Sequence, residues 1–430
     1  MSRPATVDAW LAYLATLHPA SIAMGLDRVR AVMSKLDATV ACPVVTVAGT
    51  NGKGSTCAML ESVLRCSGYA VGLYTSPHLL RYHERVRIRG REATDAELLS
   101  AFNAIEEARL ATAGSGGVPT PLTYFEFGTL AALWLFARAE LDALVLEVGL
   151  GGRLDAVNVV DATVAVLTSV AIDHTEYLGP TREEIGREKA GIFRGGRVAI
   201  CADPDPPASV VARASEIGAN LLRIGRDYGF VNEDTQWKYW GPGGERFGLP
   251  FPALRGAYQL ANAATVLAAV GVLRDALPVR GGALREGLLT VDLPGRFQVL
   301  PGRPTVVLDV AHNPHAAGVL ADELGAMGYH PQTIAVFGMF ADKDMAGVAA
   351  ALRWRIDRWH IAPLPGPRGA SADTLRDALL AAGVEANAVR IFPDIAAAYA
   401  AATEAVGETD RIAAFGSFLT VAAVLAASQR

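Results

Sequence analysis

The stretch VVTVAGTNGKGST, Val44–Thr56, decides the fold. An apolar, β-rich run enters a glycine-rich turn, reaches Lys53 and ends in hydroxyls where a helix would start. Glycines let backbone N–H groups approach phosphate oxygens with no Cβ in the way. A helix N-terminus adds a favourable dipole, and a lysine adds a mobile positive charge for β- and γ-phosphates. The common phosphate-loop pattern is G-x-x-x-x-G-K-[ST]. This loop departs from it twice, because Val47 stands at the first glycine and Gly54 follows the lysine, so the first hydroxyls are Ser55 and Thr56. The bland alternative is a strand-to-helix turn without a ligand. Strand, lysine and helix together favour phosphate, with Gly49, Thr50, Asn51, Gly52, Lys53, Gly54 and Ser55 as the contacts.

Outward from this loop, short apolar runs alternate with longer helical stretches. Strands are predicted at Pro43–Ala48, Ala70–Tyr74, Ala143–Val148, Thr163–Thr168 and Arg197–Cys201, and helices at Ser55–Ser67, Tyr124–Ala139 and Thr181–Gly191. The alternation predicts βαβ units and a mainly parallel sheet, and near-continuous apolar strands suit a sheet covered on both faces. The pattern restarts after Pro294, with strands expected at Thr305–Val310, Thr333–Gly338, Arg358–Ala362, Val389–Phe392 and Arg411–Gly416. Leu293–Pro304 carries three prolines and two glycines and is read as the linker. Ala111–Pro121 and Ala202–Pro207 are read as surface loops. The expected class is α/β: a P-loop-type ATPase domain over 1–294 with a parallel-rich sheet, then a smaller Rossmann-like domain over 295–430.

The whole chain is consistent with this. Its 430 residues favour more than one domain, and 51% hydrophobic residues supply large cores. A net charge of -5 gives no overall attraction for nucleic acid, so an anionic ligand must be held by local groups. The four cysteines, Cys42, Cys57, Cys66 and Cys201, have no zinc-site spacing and read as reduced cytosolic thiols. MSRPATVDAW lacks the apolar core of a signal peptide, and the richest apolar runs are too short to span a bilayer. A cytoplasmic protein with no membrane partner is expected.

Five further segments sit where α/β enzymes place function, at strand ends. They are SPHL (Ser76–Leu79), EVGLGGRLDAVN (Glu147–Asn158), DHTEYLG (Asp173–Gly179), GREKAGIF (Gly186–Phe193) and DVAHNPHA (Asp309–Ala316). Ser76, Glu147 and His174 supply a hydroxyl, a carboxylate and an imidazole for a cation near ATP phosphates. Mg2+ prefers oxygen, so a histidine ligand is unusual. Each residue has a plainer reading. Glu147 would pair with Arg153, His174 would cap a turn beside Asp173, Lys189 would be a solvated helix lysine, and His312 and His315 would be loop histidines. Arg85, Arg87 and Arg89 alternate along an expected strand, either as a charged edge or as a docking strip for carboxylates.

These segments resemble the folylpolyglutamate synthase family, most closely its bifunctional bacterial members, within the Mur ligase superfamily. The resemblance runs from about Trp10 to about Ala422 and rests on AGTNGKGST, SPHLLRYHERVRI, LTYFEFGTLAALWLF, LEVGLGGRLDAVN, IDHTEYLG, IGREKAGIFR, NAATVLAA, PGRFQ, LDVAHNPHAA, ADKD, APLPGPRGA and GSFLTVA. It implies that Lys53 and its loop bind ATP, that Ser76 and Glu147 hold one Mg2+ and that His174 helps hold a second. Lys189 matches a lysine carboxylated by CO2, and Asn262, Arg296 and Asp309 match ATP-binding positions. His312 and Ser417 fall near the expected glutamate, in the C-terminal glutamate ligase domain; Met24 and Gly25, Thr123, Tyr124, Phe125 and Glu126, and Leu154, Asp155 and Ala156 fall in pteroate-binding segments. Lys53, Glu147, His174, Lys189, Asp309 and His312 form the implied catalytic set.

The implied reaction joins L-glutamate to dihydropteroate and to tetrahydrofolates. ATP phosphorylates the acceptor carboxylate, and the glutamate amine displaces phosphate, with catalysis by positioning and charge neutralisation. The resemblance further implies a monomer. Two alternatives stay open: a folylpolyglutamate synthase only, because Ala23 stands where bifunctional members carry an acidic residue, and a Mur-type nucleotide-peptide ligase. A GTP-dependent switch lacks its guanine motif, since Asp342–Met345 reads DKDM.

Overall fold

The computed structural model describes residues 3–114 and 117–429. The expected loop over Ala111–Pro121 therefore includes two residues, Ser115 and Gly116, that lie outside the described ones. The chain forms two compact units. The first comprises Met1–Val170, Thr175–Ala253 and Leu260–Val291; the second comprises Ala171–His174, Leu254–Gln259 and Asp292–Arg430.

The first unit is built on eight strands: β1 (Val44–Ala48), β2 (Val71–Tyr74), β3 (Val86–Ile88), β4 (Arg91–Glu92), β5 (Ala143–Glu147), β6 (Val164–Leu167), β7 (Val198–Cys201) and β8 (Asn220–Arg223). Their order is β4-β3-β2-β5-β1-β6-β7-β8. The six strands from β2 to β8 run parallel, and β3 and β4 add an antiparallel border. Every residue of β1, β5 and β6 is buried, as continuous apolar runs require when both faces are covered. Because β1 lies between β5 and β6, the segments leaving Glu147 and Leu167 flank the loop after β1.

Helix Lys53–Cys66 leaves β1 through the quoted loop and is buried along most of its length. Helix Gly281–Thr290 packs on it at close range: a Cβ on Gly287 would lie 2.5 Å from Val63 Cα, and Ser62 Oγ donates to Gly287 O at 2.8 Å. On the opposite flank, Trp10, Phe102 and Phe127 form an aromatic cluster that anchors helices Asp95–Ala111 and Tyr124–Phe136. Core packing is the ordinary expectation for both Phe136 and Trp134 of the second helix; Phe136 is buried, but Trp134 is only partly so, under the Arg138 guanidinium at 4.0 Å.

A small antiparallel sheet, β9 (Gly229–Asn232), β10 (Trp237–Trp240) and β11 (Arg246–Leu249), was not expected. The second unit carries β12 (Gln298–Leu300), β13 (Thr305–Leu308), β14 (Thr333–Phe337), β15 (Arg358–Ile361), β16 (Val389–Ile391) and β17 (Arg411–Phe415). Their order is β12-β13-β17-β14-β15-β16, parallel except for β12. Leu293–Pro304, read as linker from its prolines and glycines, contains β12 and so contributes an edge strand to the second sheet.

The arginine run does not form one strip. β3 covers only Val86–Ile88, and β4 rather than β3 is the edge strand. Arg85 lies in a 3-10 turn, and Arg89 has a φ of 53° and donates to the carbonyls of Ala139 and Glu140. Arg87 reaches Glu61 on helix Lys53–Cys66 at 3.1 Å, and that carboxylate is 2% exposed. Burial raises the Glu61 pKa, and the Arg87 charge opposes the rise.

Removing one partner of such a pair leaves the other desolvated. Arg87→Met is expected to lower the urea unfolding free energy by about 2–3 kcal/mol, with Glu61→Gln in the same chain recovering most of it. A loss below about 0.5 kcal/mol would show that the pair contributes nothing net.

Candidate active site

In the first unit the loop after β1 is held from three sides. Thr50 N donates to Ser169 O at 2.8 Å, Asn51 N donates to Ser169 Oγ at 3.0 Å, and Thr168 Oγ1 donates to Asn51 O at 2.7 Å. Two of its glycines leave no room for a side chain. A Cβ on Gly49 would sit 1.8 Å from Thr168 Oγ1, and one on Gly52 would sit 2.8 Å from Asn262 Oδ1. Both have positive φ, 151° and 87°. Gly52 caps helix Lys53–Cys66 without a side-chain hydrogen bond. The amides of the first turn therefore point along the helix axis into the loop, with Gly54 and Ser55 in that turn.

Lys53 Nζ donates to Gly49 O at 3.0 Å and to Thr50 O at 3.2 Å. Lys189, at the end of helix Arg182–Lys189, is 5% exposed and donates to the same Gly49 carbonyl at 2.9 Å. It is thus a buried lysine and not the solvated one of the plainer reading. Two ammonium groups converge on one carbonyl oxygen.

Glu147, at the end of β5, is 5% exposed, and its Oε2 accepts the Ser76 amide at 3.0 Å. The ion pair with Arg153 is not formed, because Arg153 instead meets Glu188 at 2.8 Å. Ser76 and Glu147 present a hydroxyl and a carboxylate, the oxygen donors a hard cation prefers. Among the described residues no group of three or more His, Cys, Asp or Glu is placed so that it could hold a metal ion. The Ser76 neighbour His78 accepts from Arg85 Nε at 2.8 Å. Burial, reinforced by the Arg85 charge, lowers its pKa to about 4.

The three segments expected to frame a pteroate meet. Gly25 N donates to Leu154 O at 3.2 Å, and the Met24 methyl would lie 3.3 Å from a Cβ on Gly151. Arg28 pairs with Glu126 at 2.8 Å and donates to Ala23 O at 2.7 Å. Thr123 and Glu126 form a reciprocal capping box, so both Glu126 oxygens already accept hydrogen bonds. The Phe125 ring tip closes on Gly149, where a Cβ would be 2.6 Å from Cζ, and the Tyr124 ring lies 6.0 Å from that of Tyr82. Asp155 is buried and accepts from Leu150 N and Val157 N; burial raises its pKa to about 6, and it caps the short turn that carries Ala156.

The second unit gathers its own cluster. Asp173 receives Lys343 Nζ at 2.5 Å, Asn313 Nδ2 at 3.4 Å and His312 Nε2 at 3.5 Å. Burial alone would raise this carboxyl, but His312, His174 and Lys343 hold it well below the usual carboxylate range. His174, at a φ of 52°, lies 3.2 Å from Lys343 Nζ through Nε2. His312 Nδ1 lies 2.8 Å from Val310 O, and His315 meets the Tyr258 hydroxyl at 3.2 Å. Asp309 accepts from Phe297 N and Ala311 N, each at 2.8 Å, and burial raises its pKa. Arg296 lies over the Phe418 ring at 4.9 Å, and Ser417 caps helix Phe418–Ser428.

Residues 295–418 match the family described as Mur ligase, glutamate ligase domain, and residues 93–270 match the Mur ligase middle domain. The dihydrofolate synthase/folylpolyglutamate synthase of Escherichia coli is 46% identical over 417 residues, 97% of this chain and 94% of that protein. The chain belongs to the dihydrofolate synthase/folylpolyglutamate synthase family. Its structure is similar to that of E. coli FolC in complex with DHPP and ADP, with a TM-score of 0.91 at 45% identity, covering 99% of this chain and 98% of that one. A bifunctional folylpolyglutamate synthase/dihydrofolate synthase with Mn, AMPPNP and L-glutamate bound gives 0.88 at 47% identity, over 99% and 98%. Membership of this family makes the protein an ATP-dependent ligase with the Mur-type fold.

Reading the sequence as a member of this family missed Arg28, Asp173, Lys343 and Glu323 as structural centres. Lys343 stands in ADKD and Asp173 precedes His174, so a search for oppositely charged residues within the motifs would have raised that pair. Arg28 and Glu323 had no local signal. Glu323 faces Gly256, where a Cβ would be 1.8 Å from its Oε1. Burial, with Asp309 and Asp322 adding negative charge, raises its pKa from 4.5 to about 8. The folded state then binds the proton more tightly than the unfolded state does, so stability is full below about pH 4.5 and falls as pH rises toward 8. Glu323→Gln should remove this slope and stabilise the protein at pH 8 by about 1–2 kcal/mol after screening. Parallel denaturation curves for the two proteins at pH 5 and pH 8 decide the matter, and an identical pH slope would refute it.

Proposed function

We propose that this ligase joins L-glutamate to dihydropteroate, making dihydrofolate, and to tetrahydrofolates, making polyglutamates, at the expense of ATP. The observation that carries the reading is the meeting of Lys53 and Lys189 on the Gly49 carbonyl, beside a loop of glycines with no space for a Cβ. Such a place attracts anions. Lys53, Gly49–Ser55 and Asn262 would hold the ATP phosphates, with Arg296 and Asp309 as further nucleotide contacts.

Ser76 and Glu147 would hold one Mg2+, and His174 would help hold a second. Bound there, the cations neutralise charge on the phosphates. The acceptor carboxylate attacks the γ-phosphorus, ADP leaves, and an acyl phosphate forms. The glutamate amine then adds to the acyl carbon, inorganic phosphate departs with the C–O electrons, and the amine proton passes to solvent or base. His312 and Ser417 are the residues we place near glutamate. Met24, Gly25, Thr123–Glu126 and Leu154–Ala156 would frame the pteroate. The chain would act as a monomer in the cytoplasm, where its four free thiols stay reduced. No helix among the described residues is long and apolar enough to cross a membrane.

Phosphate release from ATP with glutamate present, using 7,8-dihydropteroate and tetrahydrofolate in turn, tests the reading. Stimulation by both is expected. Stimulation by tetrahydrofolate alone would reduce the activity to polyglutamylation and assign the difference to Ala23. Stimulation by neither, with turnover of UDP-sugar peptides, would replace the reading with the Mur-type one.

Lys189 is further proposed to carry an N6-carboxylate. Two ammonium groups on one carbonyl repel each other, and conversion of one to a carbamate replaces repulsion with attraction. Lys189→Ala and Glu147→Ala should each lower kcat by at least about 100-fold. Bicarbonate depletion should slow the native enzyme and leave Lys189→Ala unchanged. Native kcat in the Glu147 variant, or no response of the native enzyme to bicarbonate, would overturn the respective roles.

A further inference from the structure

The arginine run leaves one cation unaccounted for. Arg87 is paired with Glu61, and Arg89 is tied to two carbonyls. Glu84, the carboxylate nearest in sequence to Arg85, is turned to the amides of Leu79, Leu80 and Arg81 at 2.6, 2.7 and 2.6 Å. Arg85 forms no ion pair with any carboxylate among the described residues. Its Nε donates to His78 Nδ1 at 2.8 Å, which uses a neutral lone pair and cancels no charge. Its guanidinium carbon lies 5.5 Å from the ring centroids of both Tyr82 and Tyr124. The rings hold it by cation–π attraction and fix its direction. Thr75 N donates to Arg85 O at 3.0 Å, which sets this residue beside the Ser76 corner and its contact with Glu147.

A half-buried guanidinium, oriented by two rings and lacking a counter-charge, is an anion site. The two acceptor classes of the proposed reaction differ in one anion. Dihydropteroate has a single carboxylate, which is the one activated. A folate has a glutamate whose γ-carboxylate reacts and whose α-carboxylate remains charged throughout.

We propose that Arg85 binds the α-carboxylate of the folate acceptor and so serves polyglutamylation but not dihydrofolate synthesis. The inference rests on the proposed function above, because it uses Tyr124 as part of the pteroate-binding segment. It narrows the expected three-residue strip to one arginine and names the carboxylate it takes.

The test compares the native enzyme with Arg85→Gln and Arg85→Lys, using phosphate release at saturating ATP. Arg85→Gln should raise KM for tetrahydrofolate roughly 10- to 100-fold, with KM for dihydropteroate and for glutamate within about twofold of native. Arg85→Lys should fall between. Tetrahydrofolate with its α-carboxylate converted to the amide should lose the same factor on the native enzyme and lose nothing further on Arg85→Gln. This analogue also decides the question if the variants fail to fold. An equal rise for both acceptors, a rise in glutamate KM, or native affinity for the α-amide would overturn the assignment while leaving the ligase reading intact. A native enzyme that turns over neither acceptor would remove the ligase reading itself, and this proposal with it.

Discussion

The backbone of Gly49–Gly52 has space on only one side, and the first unit is arranged around that fact. Thr168 closes on Gly49 and Asn262 closes on Gly52, so the peptide groups between them have one conformation. The strand order supplies the walls. β1 is flanked by β5 and β6, so Glu147 emerges on one side of the loop and Thr168 with Ser169 on the other, although both are far away in sequence. In a parallel sheet the carboxyl ends of neighbouring strands share one edge, and the site arises along that edge. Helix Gly281–Thr290, by pressing Gly287 on Val63, fixes the helix that the loop feeds.

Charge placement depends on the same packing. Lys189 is buried because Gly152 and Gly191 bring their segments into van der Waals contact with the helix end and with Arg153: a Cβ on Gly152 would be 2.8 Å from Lys189 O, and one on Gly191 would be 2.3 Å from Arg153 Cβ. An ammonium removed from water is unfavourable unless anions or dipoles replace the hydration. Gly49 O replaces part of it and is shared with Lys53. The convergence of two ammonium groups on one carbonyl oxygen is the physical ground for proposing phosphates, and a carbamate, at this point. Asp173 in the second unit shows the opposite case, a carboxylate surrounded by Lys343, His312 and Asn313 and so held ionised despite its burial.

Legibility in the sequence divided along the range of the interactions. The parallel strands were readable because each is a continuous apolar run with a helix after it; all ten expected strands are present with ends displaced by one or two residues. β9–β11 were missed because WKYW and RFGL alternate weakly and sit among glycines and prolines that read as loop. β12 was missed because the prolines on either side of it suggested a linker, whereas the three residues between them, Gln298–Leu300, pair as an edge strand. The loop, Ser76 and Glu147, and the Leu154 segment lay within quoted motifs, and Gly25 was named beside them. Arg28 with Glu126 and Arg87 with Glu61 did not: each joins residues far apart in sequence, and nothing local in either marks the partner.

The least legible part is the electrostatic balance at the Met24–Gly25 end of the first unit. Ala23, where the resemblance to bifunctional members leads to the expectation of an acid, has specific surroundings in the fold. The Arg28 guanidinium spans from Glu126 to the Ala23 carbonyl, donating at 2.8 Å to one and 2.7 Å to the other. Glu126 is 3% exposed and also holds the Thr123 cap. The Arg28–Glu126 pair thus lies at the start of helix Tyr124–Phe136. Tyr124 and Phe125 begin that helix. The Ala23 carbonyl is therefore linked through Arg28 and Glu126 to the aromatic residues at that helix start.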